Sequence, residues 1–94
     1  MYVISLTYKA DLSVMDAHRP AHLDWLQKYY DEGLFLASGR KVPATGGMII
    51  SKKMPREKLD AILKTDPFAL HNLADYDVTE FEPKMTAPEL KGVA

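Results

Sequence analysis

The sequence predicts an α+β fold in the order β-α-β-β-α-β, the ferredoxin-like pattern, and three observations carry that prediction. Tyr2, Ile4, Leu6 and Tyr8 alternate with Val3, Ser5 and Thr7, the two-residue period of a strand. Two stretches at helical spacing each open on a proline, Pro20 and Pro55. Three further short β-rich runs are bounded by Gly, Pro or Asp.

The elements follow in order. Tyr2–Tyr8 is the first strand, broken by "KADLS". Ser13 with Asp16 three residues on resembles a capping box and predicts a short helical turn. Pro20 separates that turn from the main helix, because proline lacks the amide donor and clashes with the preceding turn. The main helix is expected over Arg19–Glu32, with Leu23, Leu26 and Tyr30 inward, Trp25 and Tyr29 toward a rim, and Gly33 as the residue that ends it. Leu34–Arg40 and Gly47–Ser51 read as strands joined by "VPATG". Pro55–Lys64 is the second helix, with Leu59, Ile62 and Leu63 inward. It is closed by "TDPF", since Pro67 biases Asp66 away from helical geometry. Tyr76–Phe81 is the last strand.

Right-handed crossovers place both helices on one face of a four-stranded antiparallel sheet. The strands read as apolar on both sides, the pattern of a doubly covered sheet. In a chain of 94 residues the second cover must come from another copy, so a homodimer packed through the open sheet face is expected. Residues 1–83 form the domain and 84–94 a proline-punctuated tail.

Composition excludes several function classes. A net charge of -1 gives no electrostatic footprint for nucleic acid or an anionic membrane. The sheet lacks the aromatic and basic runs of an RNA-binding face. With no cysteine there is neither a disulfide framework nor thiolate chemistry. No apolar run approaches the roughly 20 residues of a membrane span. A cytoplasmic location is expected.

Strand order also brings polar groups together. The start of the main helix, the end of the second strand and the turn after the second helix all lie at one end of the domain. This juxtaposes His18, Arg19 and His22 with Ser38, Arg40 and Lys41, and with Asp66. His22 and Asp66 are therefore expected to be close. A carboxylate on one ring nitrogen fixes the tautomer and leaves the other nitrogen as a general base or acid. Ser38 could donate to a substrate oxygen, and a basic residue could hold a carboxylate or enolate. Taken alone, His22 is also compatible with an inert polar border residue, and Asp66 with a turn residue. A metal pair of His18 and His22 lacks a third ligand, and Pro20 between them spoils their helical register. His71 reads as a surface residue.

The run "RPAHLDWL", followed by "YDEGLFLASG" and then by "TDPF", resembles the YciI-like family across the chain except the tail. The resemblance implies a dimeric α/β-barrel form of the ferredoxin-like fold. It also implies a His–Asp active site made by His22 of "RPAHL" and Asp66 of "DPF". Some relatives are linked to dehydrochlorination of chlorinated aromatic-ring metabolites, and muconolactone-type isomerases share the broader fold. Here the connection between the middle strands is shorter, and "SGRK" more basic, than the family's usual pattern.

The expectation is a small-molecule enzyme that moves protons without a cofactor or metal, of isomerase or dehydrochlorinase type. Its catalytic residues would be His22, Asp66 and Ser38. Its substrate-binding residues would be Arg19, Gly39, Arg40 and Phe68. A non-catalytic ligand-binding dimer is the alternative, because fold does not fix function.

Overall fold

The computed structural model describes residues 1–92. Strand β1 (Tyr2–Tyr8) is the axis of a four-stranded antiparallel sheet. On one side it pairs with β3 (Gly46–Ser51), with Val3 opposite Ile50 and Ser5 opposite Met48. On the other it pairs with β4 (Ala74–Glu80), with Leu6 opposite Tyr76. Strand β2 (Phe35–Arg40) joins the far edge of β3, completing the order β2-β3-β1-β4. A bulge between Phe35 and Ala37 shifts the register of β2, so Phe35 and Ser38 both lie on the side that faces the helices.

Helix α1 (Leu12–Asp31) differs from expectation in two ways. It begins at Leu12 with Asp11 as N-cap, so Ser13 lies inside the first turn and makes no capping box. It then runs on through Pro20 without a break. The local cost of an internal proline is about 3 kcal/mol. It is opposed by what the first two turns contribute. Met15 is fully buried in the core, worth about 1.5–3 kcal/mol. One residue on, Asp16 pairs with Arg40 of β2 at 2.7 Å.

The buried face of α1 is also rotated from the expected one. Trp25, Leu26 and Tyr29 are buried, whereas Leu23 is 47% exposed. The large rings decide this. Trp25 and Tyr29 pack on Phe35 with centroids 5.5 and 5.4 Å away. The Trp25 indole N–H donates to Thr65 Oγ1 at 2.9 Å. An aromatic that fills the core and satisfies its polar atom outcompetes an aliphatic residue for the same face. Gly33 ends the helix as expected, with φ 73, the left-handed conformation that suits glycine.

Helix α2 (Arg56–Leu63) buries Leu59, Ile62 and Leu63. "TDPF" then starts a further short helix, α3 (Pro67–Leu70), rather than only ending α2. Asp66 is its N-cap and accepts from the Phe68 N–H at 3.1 Å, with Pro67 in the first turn, where no amide donor is needed.

The open face of the sheet is only partly apolar. Val3, Met48 and Ile50 form its apolar half, while Asp75, Asp77 and Thr79 make the β4 half polar. The expected two-sided apolar pattern therefore holds for β3, and not for β1, whose open face carries Ser5 and Thr7 beside Val3, or for β4. Beyond β4 the chain carries one 3-10 turn at Pro88–Leu90, and residues 93 and 94 lie outside the described part.

Close pairing of β1 and β3 depends on Gly46. A Cβ there would sit 1.8 Å from the carbonyl oxygen of Leu6, a main-chain atom with nowhere to move. Gly46→Ala is expected to cost about 3 kcal/mol, the upper end of overpacking penalties. The cost will show as a lower urea midpoint.

Candidate active site

The N-terminal half of α1, the end of β2 and the α2–α3 junction meet around a cavity of about 130 Å³. Its walls include Arg19, His22, Ser38, Gly39, Arg40 and Phe68. Asp66 stands behind His22 rather than in the wall. The seven candidate residues are thus brought together, although they span positions 19 to 68.

His22 Nδ1 lies 2.7 Å from Asp66 Oδ1. The Asp66 side chain is 0% exposed and that of His22 12%. The His22 ring lies flat on Phe68, with centroids 4.1 Å apart and planes inclined by 10°. The ring orientation is therefore set by a hydrogen bond at one edge and an aromatic plane beneath. Nε2, on the opposite edge, has no protein partner among the described residues.

Asp66 is saturated. Oδ1 accepts from His22 and from the Phe68 amide, and Oδ2 accepts from the Tyr76 hydroxyl at 2.5 Å. Tyr76 was not among the sequence candidates. Its one signal in the sequence is a phenol on the inward side of β4, between Ala74 and Val78, where a hydroxyl needs a partner. Burial first, and then the bond to Asp66, push the Tyr76 hydroxyl well above its usual range.

That shift has a pH consequence. Above about pH 10 the unfolded chain loses this proton and the folded chain keeps it. The linked stability is complete below that pH and is lost as pH rises further. The alkaline loss is expected to be smaller in Tyr76→Phe, as read from urea midpoints between about pH 9 and 11.

The two arginines differ. Arg40 donates to Asp16 Oδ1 at 2.7 Å and to the Tyr8 hydroxyl at 3.4 Å, and its guanidinium lies over the Tyr8 ring. These contacts, the Asp16 bond first, hold it in the charged form. Arg19 has no ion pair or hydrogen bond among the described residues. Among the described residues no carboxylate lines the cavity. Ser38 Oγ lies 2.6 Å from the Tyr30 hydroxyl, which ties β2 to α1 at the rim. A Cβ at Gly39 would meet nothing within 4 Å, so that position does not require glycine for space.

His18 does not share a site with His22. Its ring rests on His71 at 4.4 Å. Among the described residues no group of three or more His, Cys, Asp or Glu is placed to hold a metal ion. No helix among them is long and apolar enough to cross a membrane.

Fold and cavity together define the class: a ferredoxin-like α+β domain with a buried histidine–carboxylate hydrogen bond at the wall of a small pocket. The chain belongs to the YCII-related domain family, whose model matches residues 1–82. Among solved structures it is similar to 5-chloro-2-hydroxyhydroquinone dehydrochlorinase (TftG) from Burkholderia phenoliruptrix AC1100, in complex with 2,5-dihydroxybenzoquinone. The TM-score is 0.75 at 17% identity, covering 86% of this chain and 92% of that one. That likeness shows the fold. No curated protein matches the chain.

Proposed function

We propose that this protein is a small-molecule enzyme that catalyses cofactor-free proton transfer on a small cyclic or aromatic-derived compound. The reaction is an isomerisation or the elimination of a leaving group such as chloride. The observation that carries this reading is the His22–Asp66 hydrogen bond, which leaves Nε2 available at the cavity.

In the proposed reaction Nε2 takes a proton from an acidified C–H or O–H of the substrate. The electron pair moves into the ring system. In an elimination, chloride leaves with the electrons of the C–Cl bond, and the proton on Nε2 passes to water. Asp66 keeps the imidazole in the tautomer with the proton on Nδ1 and stabilises the imidazolium. Ser38 donates to the developing oxyanion when Tyr30 donates to Ser38. Arg19, the unpaired guanidinium in a wall without carboxylates, holds the anionic oxygen. Arg40 is already committed to Asp16 and shapes the rim. Phe68 supplies the apolar floor, and Gly39 lends its backbone to the wall.

The test is a screen of halogenated hydroxyhydroquinones and cyclic enol lactones, reading chloride release and exchange of substrate hydrogen with deuterated water. Turnover or exchange that depends on His22 supports the reading. A ligand that binds and returns unchanged, without exchange, makes the domain a binding module instead.

We also propose that two copies pair through the open sheet face. The apolar half formed by Val3, Met48 and Ile50 supports this. Sedimentation is expected to give a dimer, and Val3→Lys with Ile50→Lys a folded monomer.

A further inference from the structure

Tyr76 takes no part in the chemistry above, yet it holds the second oxygen of the same carboxylate. It reaches Asp66 from β4, whereas His22 reaches it from α1. Among the described residues no buried side-chain polar atom lacks a partner. The donors on Asp66 therefore have no slack: rotating the carboxylate would orphan at least one of them. A buried donor left unpaired costs about 1–3 kcal/mol.

Two donors on one carboxylate also compete. The more charge the Tyr76 O–H draws toward Oδ2, the weaker an acceptor Oδ1 becomes for the His22 Nδ1–H. Burial and the adjacent carboxylate keep the phenol protonated, so it remains a donor throughout the neutral range.

We propose that Tyr76 is a positioning residue that acts through Asp66, fixing the carboxylate's orientation and its pull on His22 so that Nε2 is the nitrogen presented to the cavity. The proposal rests on His22 as the proton-transfer group, but its test does not require turnover.

The test is NMR of the ring nitrogens and Nδ1-bound proton of His22 in wild type, Tyr76→Phe, Asp66→Asn and the double variant. A ring-fluorinated tyrosine at position 76 keeps the side chain's shape and sharpens its donor, so it covers the case in which Tyr76→Phe does not fold. Tyr76→Phe is expected to move the Nδ1–H proton downfield, because the carboxylate pulls harder on it. Fluorination is expected to move it upfield. In the Asp66→Asn background, Tyr76→Phe should leave the ring signals where Asp66→Asn put them. A role in packing alone would not give opposite shifts that vanish with the carboxylate.

The inference is overturned if fluorination leaves the His22 signals in place. It is also overturned if the Tyr76→Phe shift persists without Asp66. Shifts as expected in a protein that shows no exchange or turnover would sustain the role of Tyr76 and remove the enzymatic reading of His22. The two can therefore fail separately.

Discussion

Replacing His22 with alanine is expected to lower turnover roughly 10²- to 10⁴-fold, the usual contribution of a positioned general base. Ligand affinity should change little, since the proposed anion contact is Arg19 and the apolar floor is Phe68. The separation matters because it assigns the loss to the transition state rather than to binding. His22→Ala also opens a space against Phe68, on which the imidazole now lies at 4.1 Å. Added imidazole is expected to occupy it and restore part of the rate, which a merely unstable variant would not show. A variant that keeps wild-type exchange and chloride release removes His22 from the mechanism.

Asp66→Ala is expected to have the largest effect on stability. The carboxylate is 0% exposed and accepts from the His22 ring, the Phe68 amide and the Tyr76 hydroxyl. Alanine strands all of these donors and removes the N-cap of α3 at the same time. Removing one partner from a buried charged network costs about 3–5 kcal/mol. Domains of this size hold about 5–15 kcal/mol in total. The urea midpoint should therefore collapse, or the cooperative transition disappear.

Asp66→Asn separates stability from function. The amide oxygen still caps α3, and the phenol can accept from the new NH₂ group instead of donating. The expected cost is about 1–3 kcal/mol. The amide oxygen also stays on the His22 Nδ1–H, since the Oδ1 position serves both donors, and the neutral amide no longer stabilises an imidazolium. A folded Asp66→Asn protein with the His22 proton still on Nδ1 and little activity is the expected outcome. Equal stability of Asp66→Ala and wild type would contradict the hydrogen-bonded geometry.

Much of this site can be read in the sequence because it follows from order alone. Once the strands are placed and crossovers are right-handed, the start of α1, the end of β2 and the α2–α3 junction must meet. The proximity of His22 and Asp66 follows, 44 residues apart and 2.7 Å in space. The role of Pro20 does not follow. Its penalty is local and visible, whereas the burial of Met15 and the Asp16–Arg40 pair that oppose it depend on partners elsewhere. The inward face of α1 was hidden for the same reason. Leu23 satisfies helical periodicity as well as Trp25 and Tyr29 do, and only Phe35 and Thr65 decide between them.

By itself, then, the sequence determined the element order, the sheet that order builds and the end of the domain where chemistry can gather. These rest on two-residue and helical periods and on chain handedness, all encoded within a few neighbouring residues. Tertiary structure alone decided that Arg40 is bound by Asp16 while Arg19 stays unpaired, and that Asp66 is shared between His22 and Tyr76. Those outcomes depend on which donors lie within hydrogen-bond reach of a buried acceptor. Donors drawn from β4 and α1 become neighbours only when the sheet and helix close on the same carboxylate.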